Sequence, residues 1–396
     1  MTTLYEGKDS LHYELAMSHK FKNTKRTATM KHFSIIMTLA MSLGVATTSY
    51  ADGHGNHASA APKMLKYTEF NQIGNPADVI DVKEEAPKEL QPGDVRVRVL
   101  AAPINPSNLL QIAGQYGVDA VLPANPGSEG VGRVIEVTPE AGYLKVGQLV
   151  LIVGGGTWRD EVVAPEAGFL PLPSMGDLPP AVVEQLGMSA VNPITALLML
   201  TSFVDLNEGQ WIVQSAANSA VGGYVIQLAK QRGIKTINVV RREGLAEELM
   251  AKGADVVLID GPDLADQIAR ATGGEPVVLA LDAVGGDTYT RLTNSLGYSG
   301  TIVAYGMLSG KPASLNTGMT IFKDVRNRGF WLQKWYETAS MEDKQAAFGK
   351  IIPLIATGVL KADVDSRFAV GDIKAAVTRA AQDGRNGKVL IVPNVE

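Results

Sequence analysis

The 396-residue chain contains no cysteine. Disulfides, thiolate nucleophiles and cysteine metal sites are therefore excluded. Histidine is nearly as scarce. It occurs at His12, His19, His32, His54 and His57, and nowhere between Pro62 and Glu396. The body of the chain thus lacks both common zinc-ligand types. It also lacks the side chain that ordinarily exchanges protons near neutral pH. Any proton donor there must be Tyr, Lys, Asp, Glu or water. An excess of positive charge is missing too. The 36 Lys and Arg against 41 Asp and Glu give a net charge of −5, which argues against non-specific nucleic-acid binding. The remaining composition, 45% hydrophobic and 19% charged, is that of a globular protein, and the length suggests two domains that need no cross-links.

The apolar run from Phe33 to Val45 is too short and too interrupted for a stable membrane span. Lys20, Lys22, Lys25, Arg26 and Lys31 precede it, and Thr47-Thr48-Ser49-Tyr50-Ala51 follow. Basic, apolar, then small is the order of a secretory signal, with Met30 as a more ordinary start. Segment 30–51 read in this way implies export to the periplasm. The alternative is a disordered or mis-assigned leader with a working start near Met64. Residues 1–62 are read as this signal-like segment and a polar linker.

Residues 210–242 read QWIVQSAANSAVGGYVIQLAKQRGIKTINVVRR. The order is strand, small-residue turn, amphipathic helix (Val221 to Arg232), second strand (Thr236 to Val240), and then Arg241 and Arg242. This is a mononucleotide-binding βαβ unit. The turn departs from G-x-G-x-x-G, with Ala and Ser partly replacing Gly as small residues that allow close backbone approach. The helix aims free N–H groups at a pyrophosphate. At the end of the second strand an NAD site carries an acidic residue for the ribose 2′-hydroxyl. Two guanidiniums there suit a 2′-phosphate, so the expected cofactor is NADPH. An ordinary βα crossover with solvated arginines is the alternative. NADPH dependence suggests the cytoplasm, against the export signal.

From Met64 to about Gly187, period-two runs such as Asp94–Leu100, Gly132–Val137 and Gln148–Val153 alternate with Gly and Pro turns, as in a β domain. From about Asn192, helices and strands alternate, which implies a doubly wound parallel sheet. The strands are Trp211–Ser215, Thr236–Val240, Val256–Ile259, Val277–Asp282 and Thr301–Tyr305. The helices include Thr195–Phe203, Leu245–Lys252 and Tyr289–Leu296. After about Trp335 come helices Met341–Ala356 and Asp372–Ala381, and a strand Lys388–Val392 expected to pair back into the first domain.

A β domain, an inserted Rossmann domain and a C-terminal return resemble the medium-chain dehydrogenase/reductase superfamily. The resemblance runs from Met64 onward and is sharpest toward the 2-enoyl thioester reductase branch. It is carried by Asn105-Pro106-Ser107-Asn108 through Gly114 and Tyr116, by Gly156-Thr157-Trp158-Arg159, and by Val191-Asn192-Pro193 with Thr195-Ala196. Further matches are Gln214 to Gly222, Ile237 to Arg242, Ala304-Tyr305-Gly306-Met307, and Phe322-Lys323-Asp324 followed by Gly329-Phe330-Trp331-Leu332. Zinc members of the superfamily carry a His in G-H-E, where this chain has Gly127-Ser128-Glu129-Gly130. The fold implied is α/β, with a GroES-like domain over 63–190 and 336–396 and a Rossmann domain over 191–335.

The resemblance implies NADPH-dependent reduction of trans-2-enoyl thioesters on CoA or acyl carrier protein. Without His, a tyrosine is the natural donor, since a phenol is protonated at neutral pH and can give its proton to a basic enolate. The resemblance gives that role to Tyr116; a ring packed in a glycine-rich loop is its structural alternative. Cofactor roles fall on Asn192, Asn218, Ser219, Ala220, Val221, Arg241 and Arg242, with Tyr305, Gly306 and Met307 by the nicotinamide. Phe330, Trp331 and Leu332 resemble residues lining cofactor and acyl pocket, although such a cluster suits core or dimer seam equally. Lys388 resembles a lysine near the cofactor phosphate, or is a surface lysine ahead of a strand. The family often has R-x-R after the second strand, whereas here the arginines are adjacent and Glu243 follows. A homodimer through the Rossmann domains is implied, with an edge strand near Gly329–Gln333 as seam. The rival activities are a zinc-free quinone or enone reductase and an NADPH-binding regulatory protein.

Overall fold

Alternation along the strand Asp94–Pro103 sends Val95, Val97 and Val99 into one core with Val134, Val150 and Ile152, while Arg98 faces solvent. This strand organises the β part of the computed structural model, which describes residues 63–393. The signal-like segment and its linker lie outside the described residues. Gly130–Val137 and Glu161–Pro165 pair antiparallel with Asp94–Pro103, and Leu149–Ile152 extends the sheet from Gly130–Val137 to Phe169–Pro171. The C-terminal strand Lys388–Ile391 returns as expected. It pairs antiparallel with Ala102 and Pro103 and parallel with Val364–Phe368.

The second sheet has six strands, and every pairing in it is parallel. Its order is Val256–Ile259, Lys235–Val240, Trp211–Gln214, Val277–Asp282, Leu296–Ala304 and Arg326–Gly329. The first strand in sequence therefore lies beside the fourth, so the winding reverses between Trp211–Gln214 and Val277–Asp282. Ligands of doubly wound sheets bind outside the carboxyl ends of the strands at such a reversal. Both faces are covered. Ile212, Leu279, Leu281 and Val303 pack with Tyr224, Val225 and Leu228 of the helix Ala220–Gln231. Val213, Ile237, Val239, Ala280 and Ile302 pack with Ile268 and Leu292. Among the described residues, no single helix is long and apolar enough to cross a membrane.

Three expectations need correction. The helix read as Tyr289–Leu296 is Gly286–Asn294, stopped where the Ser295 hydroxyl donates to the Leu292 carbonyl, and Leu296 already opens the next strand. That strand runs Leu296–Ala304, so Tyr305 lies beyond it, with its N–H on the Asp282 carbonyl at 2.9 Å. The edge strand is Arg326–Gly329 rather than Gly329–Gln333. Leu332, Trp335 and Tyr336 share a face at helical spacing against the core, which makes Leu332–Thr338 a helix.

Candidate active site

The turn after Trp211–Gln214 is built for close approach. Ala216 holds φ +49°, a conformation usually left to glycine. A side chain at Gly222 would collide with the Ala217 carbonyl, so glycine is required where the turn meets the helix. Ser219 caps that helix by accepting from the Gly222 N–H at 3.1 Å. The N–H groups of Ala220 and Val221, in the first turn, have no intrahelical acceptors and suit an anion. Asn218 is exposed on the same turn.

Tyr305 sits opposite this turn. Its hydroxyl is buried without a hydrogen-bond partner, and Ser219 lies beside it. Burial, followed by the charge of Asp282, pushes this phenol well above its ordinary range against a smaller opposing effect of Ser219, so it stays protonated. Gly306, which follows, is pressed against Ala283, where a Cβ would lie 2.8 Å from the carbonyl oxygen, and Met307 is exposed beyond it. Asp282 itself was not singled out from the sequence. Its carboxylate accepts from Ser215 Oγ (2.7 Å), Val284 N (3.1 Å) and Gly285 N (2.7 Å), and so fixes the ends of two neighbouring strands.

Arg241 and Arg242 follow Lys235–Val240 and are both exposed. Arg241 is paired with Asp383 at 2.7 Å. The small-residue turn, the orphan phenol and this arginine pair together fit a dinucleotide carrying a 2′-phosphate.

Tyr116 belongs to the loop after the helix Pro106–Ile112, and Trp331 to the turn after the edge strand Arg326–Gly329. The two meet across 215 residues of sequence: Trp331 Nε1 donates to Tyr116 Oη at 2.8 Å, with ring centroids 6.0 Å apart in a T-shape. The indole also packs on Gly117, where a Cβ would sit 3.4 Å from its ring. Indole nitrogen can only donate, so the tyrosine oxygen accepts and its own proton is free for a third group. Phe330 and Leu332 flank the pair but pack on the core, Phe330 edge-on to Phe203.

Below lies a buried polar hub that the sequence reading did not assemble. Glu129 is fully buried; Oε1 accepts from Asn105 Nδ2 at 2.8 Å, and Oε2 accepts from the N–H groups of Ala190 and Val191, each at 2.8 Å. Asn105 Oδ1 accepts from Asn192 Nδ2 at 3.0 Å and from Lys388 Nζ at 2.5 Å. Lys388 is only 4% exposed, which removes the surface-lysine alternative. Desolvation raises the Glu129 carboxyl and lowers the Lys388 ammonium, the latter to about 8. The hub joins the start of the helix Pro106–Ile112, at Asn105, to the first turn of the helix Asn192–Thr201. Glu129 was legible only as the carboxylate of Gly127-Ser128-Glu129-Gly130, where the zinc enzymes carry G-H-E.

Two family models match this chain: the alcohol dehydrogenase GroES-like domain over residues 91–174 and the zinc-binding dehydrogenase over residues 220–346. Zinc has neither His nor Cys to bind in the body of this chain. The human mitochondrial enoyl-[acyl-carrier-protein] reductase is 36% identical over 355 residues, covering 88% of this chain and 92% of that protein. The corresponding protein of Dictyostelium discoideum is 35% identical over 327 residues, covering 80% and 92%. Among solved structures, a putative NADPH:quinone reductase from Bacillus thuringiensis superposes with a TM-score of 0.76 at 30% identity, over 83% of this chain and 99% of that one. The mitochondrial 2-enoyl thioester reductase Etr1p/Etr2p heterodimer of Candida tropicalis superposes with a TM-score of 0.75 at 28% identity, over 83% and 100%. Etr1p in complex with NADP and crotonyl-CoA gives the same TM-score. With neither His nor Cys in its body to hold zinc, and with this similarity along most of its length, the chain belongs to the zinc-free 2-enoyl thioester reductase branch of the medium-chain dehydrogenase/reductase superfamily.

Proposed function

We propose that the protein reduces trans-2-enoyl thioesters, carried on CoA or acyl carrier protein, to saturated acyl thioesters with NADPH as reductant. The observation that carries this reading is the Tyr116 hydroxyl, held by Trp331 at the meeting of the tyrosine loop and the Rossmann sheet, in a body without histidine. NADPH supplies a hydride for the β-carbon. The chain must then steady the negative charge that develops on the thioester and deliver a proton to the α-carbon. Tyr116 is the donor, since its oxygen already accepts from the indole and its proton is free. Asn218, Ser219, Ala220 and Val221 hold the pyrophosphate, Tyr305, Gly306 and Met307 border the nicotinamide, and Asn192 braces the hub beneath. Steady-state NADPH oxidation with crotonyl-CoA and trans-2-decenoyl-CoA tests the reading. Turnover with a simple quinone but with neither thioester overturns it in favour of the quinone-reductase reading, which the Bacillus thuringiensis likeness keeps in play.

Arg241 and Arg242 select NADPH over NADH in this reading. Replacing both with alanine should weaken NADPH binding about 10–100-fold, the worth of charge-assisted hydrogen bonds. NADH binding should change less than about threefold, as read by cofactor fluorescence titration.

The protein also acts as a homodimer, with the edge strand Arg326–Gly329 and the exposed Tyr298, Ile321 and Phe322 as its seam. Light scattering should return twice the chain mass, and Phe322→Asp should return the single mass.

A further inference from the structure

Arg241 Nη2 lies 2.7 Å from Asp383 Oδ1, in a pair that ties the end of the Rossmann strand Lys235–Val240 to the C-terminal segment between helix Ile373–Ala381 and strand Lys388–Ile391. Arg242 approaches the same segment, its Nη1 3.8 Å from where a Cβ would stand on Gly384. The hydrogen bond from Arg241, and then the charges of Arg241, Arg242 and Arg385, hold the Asp383 carboxyl below its ordinary range. Arg241 thus grips this carboxylate while the charges of Arg242 and Arg385 act on it from nearby. A phosphate would satisfy the same arrangement with more oxygens and more charge.

We infer that Asp383 is a built-in counter-ion of the 2′-phosphate site, paired with Arg241 when the site is free and displaced when a 2′-phosphorylated cofactor enters. It is a specificity-determining residue, because NADPH has to break the pair and then tolerate the carboxylate nearby, whereas NADH does neither. The inference rests on reading Arg241 and Arg242 as ligands of the 2′-phosphate.

The segment that presents Asp383 is anchored. The Asn386 N–H donates to Asp365 Oδ1 at 3.0 Å, the Lys388 N–H to the Asp363 carbonyl at 2.8 Å, and Arg379 Nε to Asp365 Oδ2 at 2.8 Å. The chain is thus held on both sides of Asp383, whose side chain can turn aside. The pair itself is solvent-exposed, with Arg241 75% and Asp383 86% accessible, so it is weak and readily exchanged. Its main effect on the cofactor is like-charge repulsion. Between partly solvated charges a few ångströms apart, such repulsion changes an affinity by about 3–10-fold and fades with salt.

The test is cofactor binding to the full chain and to Asp383→Asn, followed by fluorescence for NADPH and NADH and by competition for 2′,5′-ADP. In dilute buffer, Asp383→Asn should bind NADPH and 2′,5′-ADP about 3–10-fold more tightly, with NADH unchanged within about twofold, and the gain should shrink in about 0.5 M salt. Unchanged or weaker NADPH binding overturns the inference, as does equal tightening of NADH. The Arg241→Ala, Arg242→Ala double variant separates the two levels of the argument. If it keeps the preference for NADPH, the 2′-phosphate reading itself fails. If it loses that preference while Asp383→Asn is silent, only the role of Asp383 fails.

Discussion

Replacing Tyr116 with phenylalanine is expected to lower kcat for enoyl-thioester reduction by about 10²–10³-fold, within the range that a positioned general acid contributes. NADPH affinity should stay within about twofold, because Tyr116 lies on the loop after Pro106–Ile112 and not on the nucleotide turn. The phenyl ring keeps the edge-to-face contact with Trp331 and removes only the oxygen that Trp331 Nε1 now donates to at 2.8 Å. That leaves the indole N–H without this acceptor, but Trp331 is 39% exposed and water can replace it, so the fold should survive. Stopped-flow NADPH oxidation with crotonyl-CoA, beside a direct binding titration, separates the two effects. A variant that retains most of its turnover demotes Tyr116 to a packing residue.

Replacing Lys388 with methionine is expected to destabilise the protein by about 3–5 kcal/mol, the usual cost of stranding one member of a buried charge pair. Lys388 and Glu129 are joined through Asn105, which donates to one and accepts from the other. Without the ammonium, Glu129 keeps its two backbone N–H donors but loses the Lys388 charge, whose field favours its ionised form. Urea denaturation measures the loss. The double variant Glu129→Gln, Lys388→Met should recover most of it, because no uncompensated charge then remains. The dependence on pH has a definite sign. Burial holds the Glu129 carboxyl above its ordinary range and the Lys388 charge opposes that shift, so in Lys388→Met the folded state takes up a proton on Glu129 more readily than the unfolded chain, and the loss should shrink as pH falls. If that variant matches the parent in urea, the hub is not a paired charge cluster.

The sheets were legible because their signals are local. Alternation in Asp94–Pro103 and unbroken apolar runs such as Val277–Asp282 report burial on one face or on two. The nucleotide turn and the arginines after Val240 were also contiguous in sequence. Partners brought together from far along the chain were not legible. Trp331 was read as pocket, core or seam, and only the fold shows its indole on the Tyr116 hydroxyl, 215 residues away. Glu129, Asn105 and Lys388 each resemble ordinary positions until the return of Lys388–Ile391 beside Asp94–Pro103 puts them in one buried cluster. Asp383 sits in a polar turn whose composition predicts nothing more than solvent, and Arg241 gives it a role only once the two segments meet. The helix Leu332–Thr338 was missed because Gly329 and the following aromatics read as strand, whereas burial of Leu332, Trp335 and Tyr336 needs helical spacing.

The central claim is hydride delivery to the β-carbon with protonation at the α-carbon. Crotonyl-CoA is turned over once with NADPH deuterated at the transferable position, and once with ordinary NADPH in deuterated water, and the butyryl-CoA is examined by NMR. The account predicts cofactor deuterium at C3 only and solvent deuterium at C2 only, with both products formed far more slowly by Tyr116→Phe. Cofactor deuterium at C2, or no saturated thioester from an enzyme that still oxidises NADPH with quinones, contradicts it.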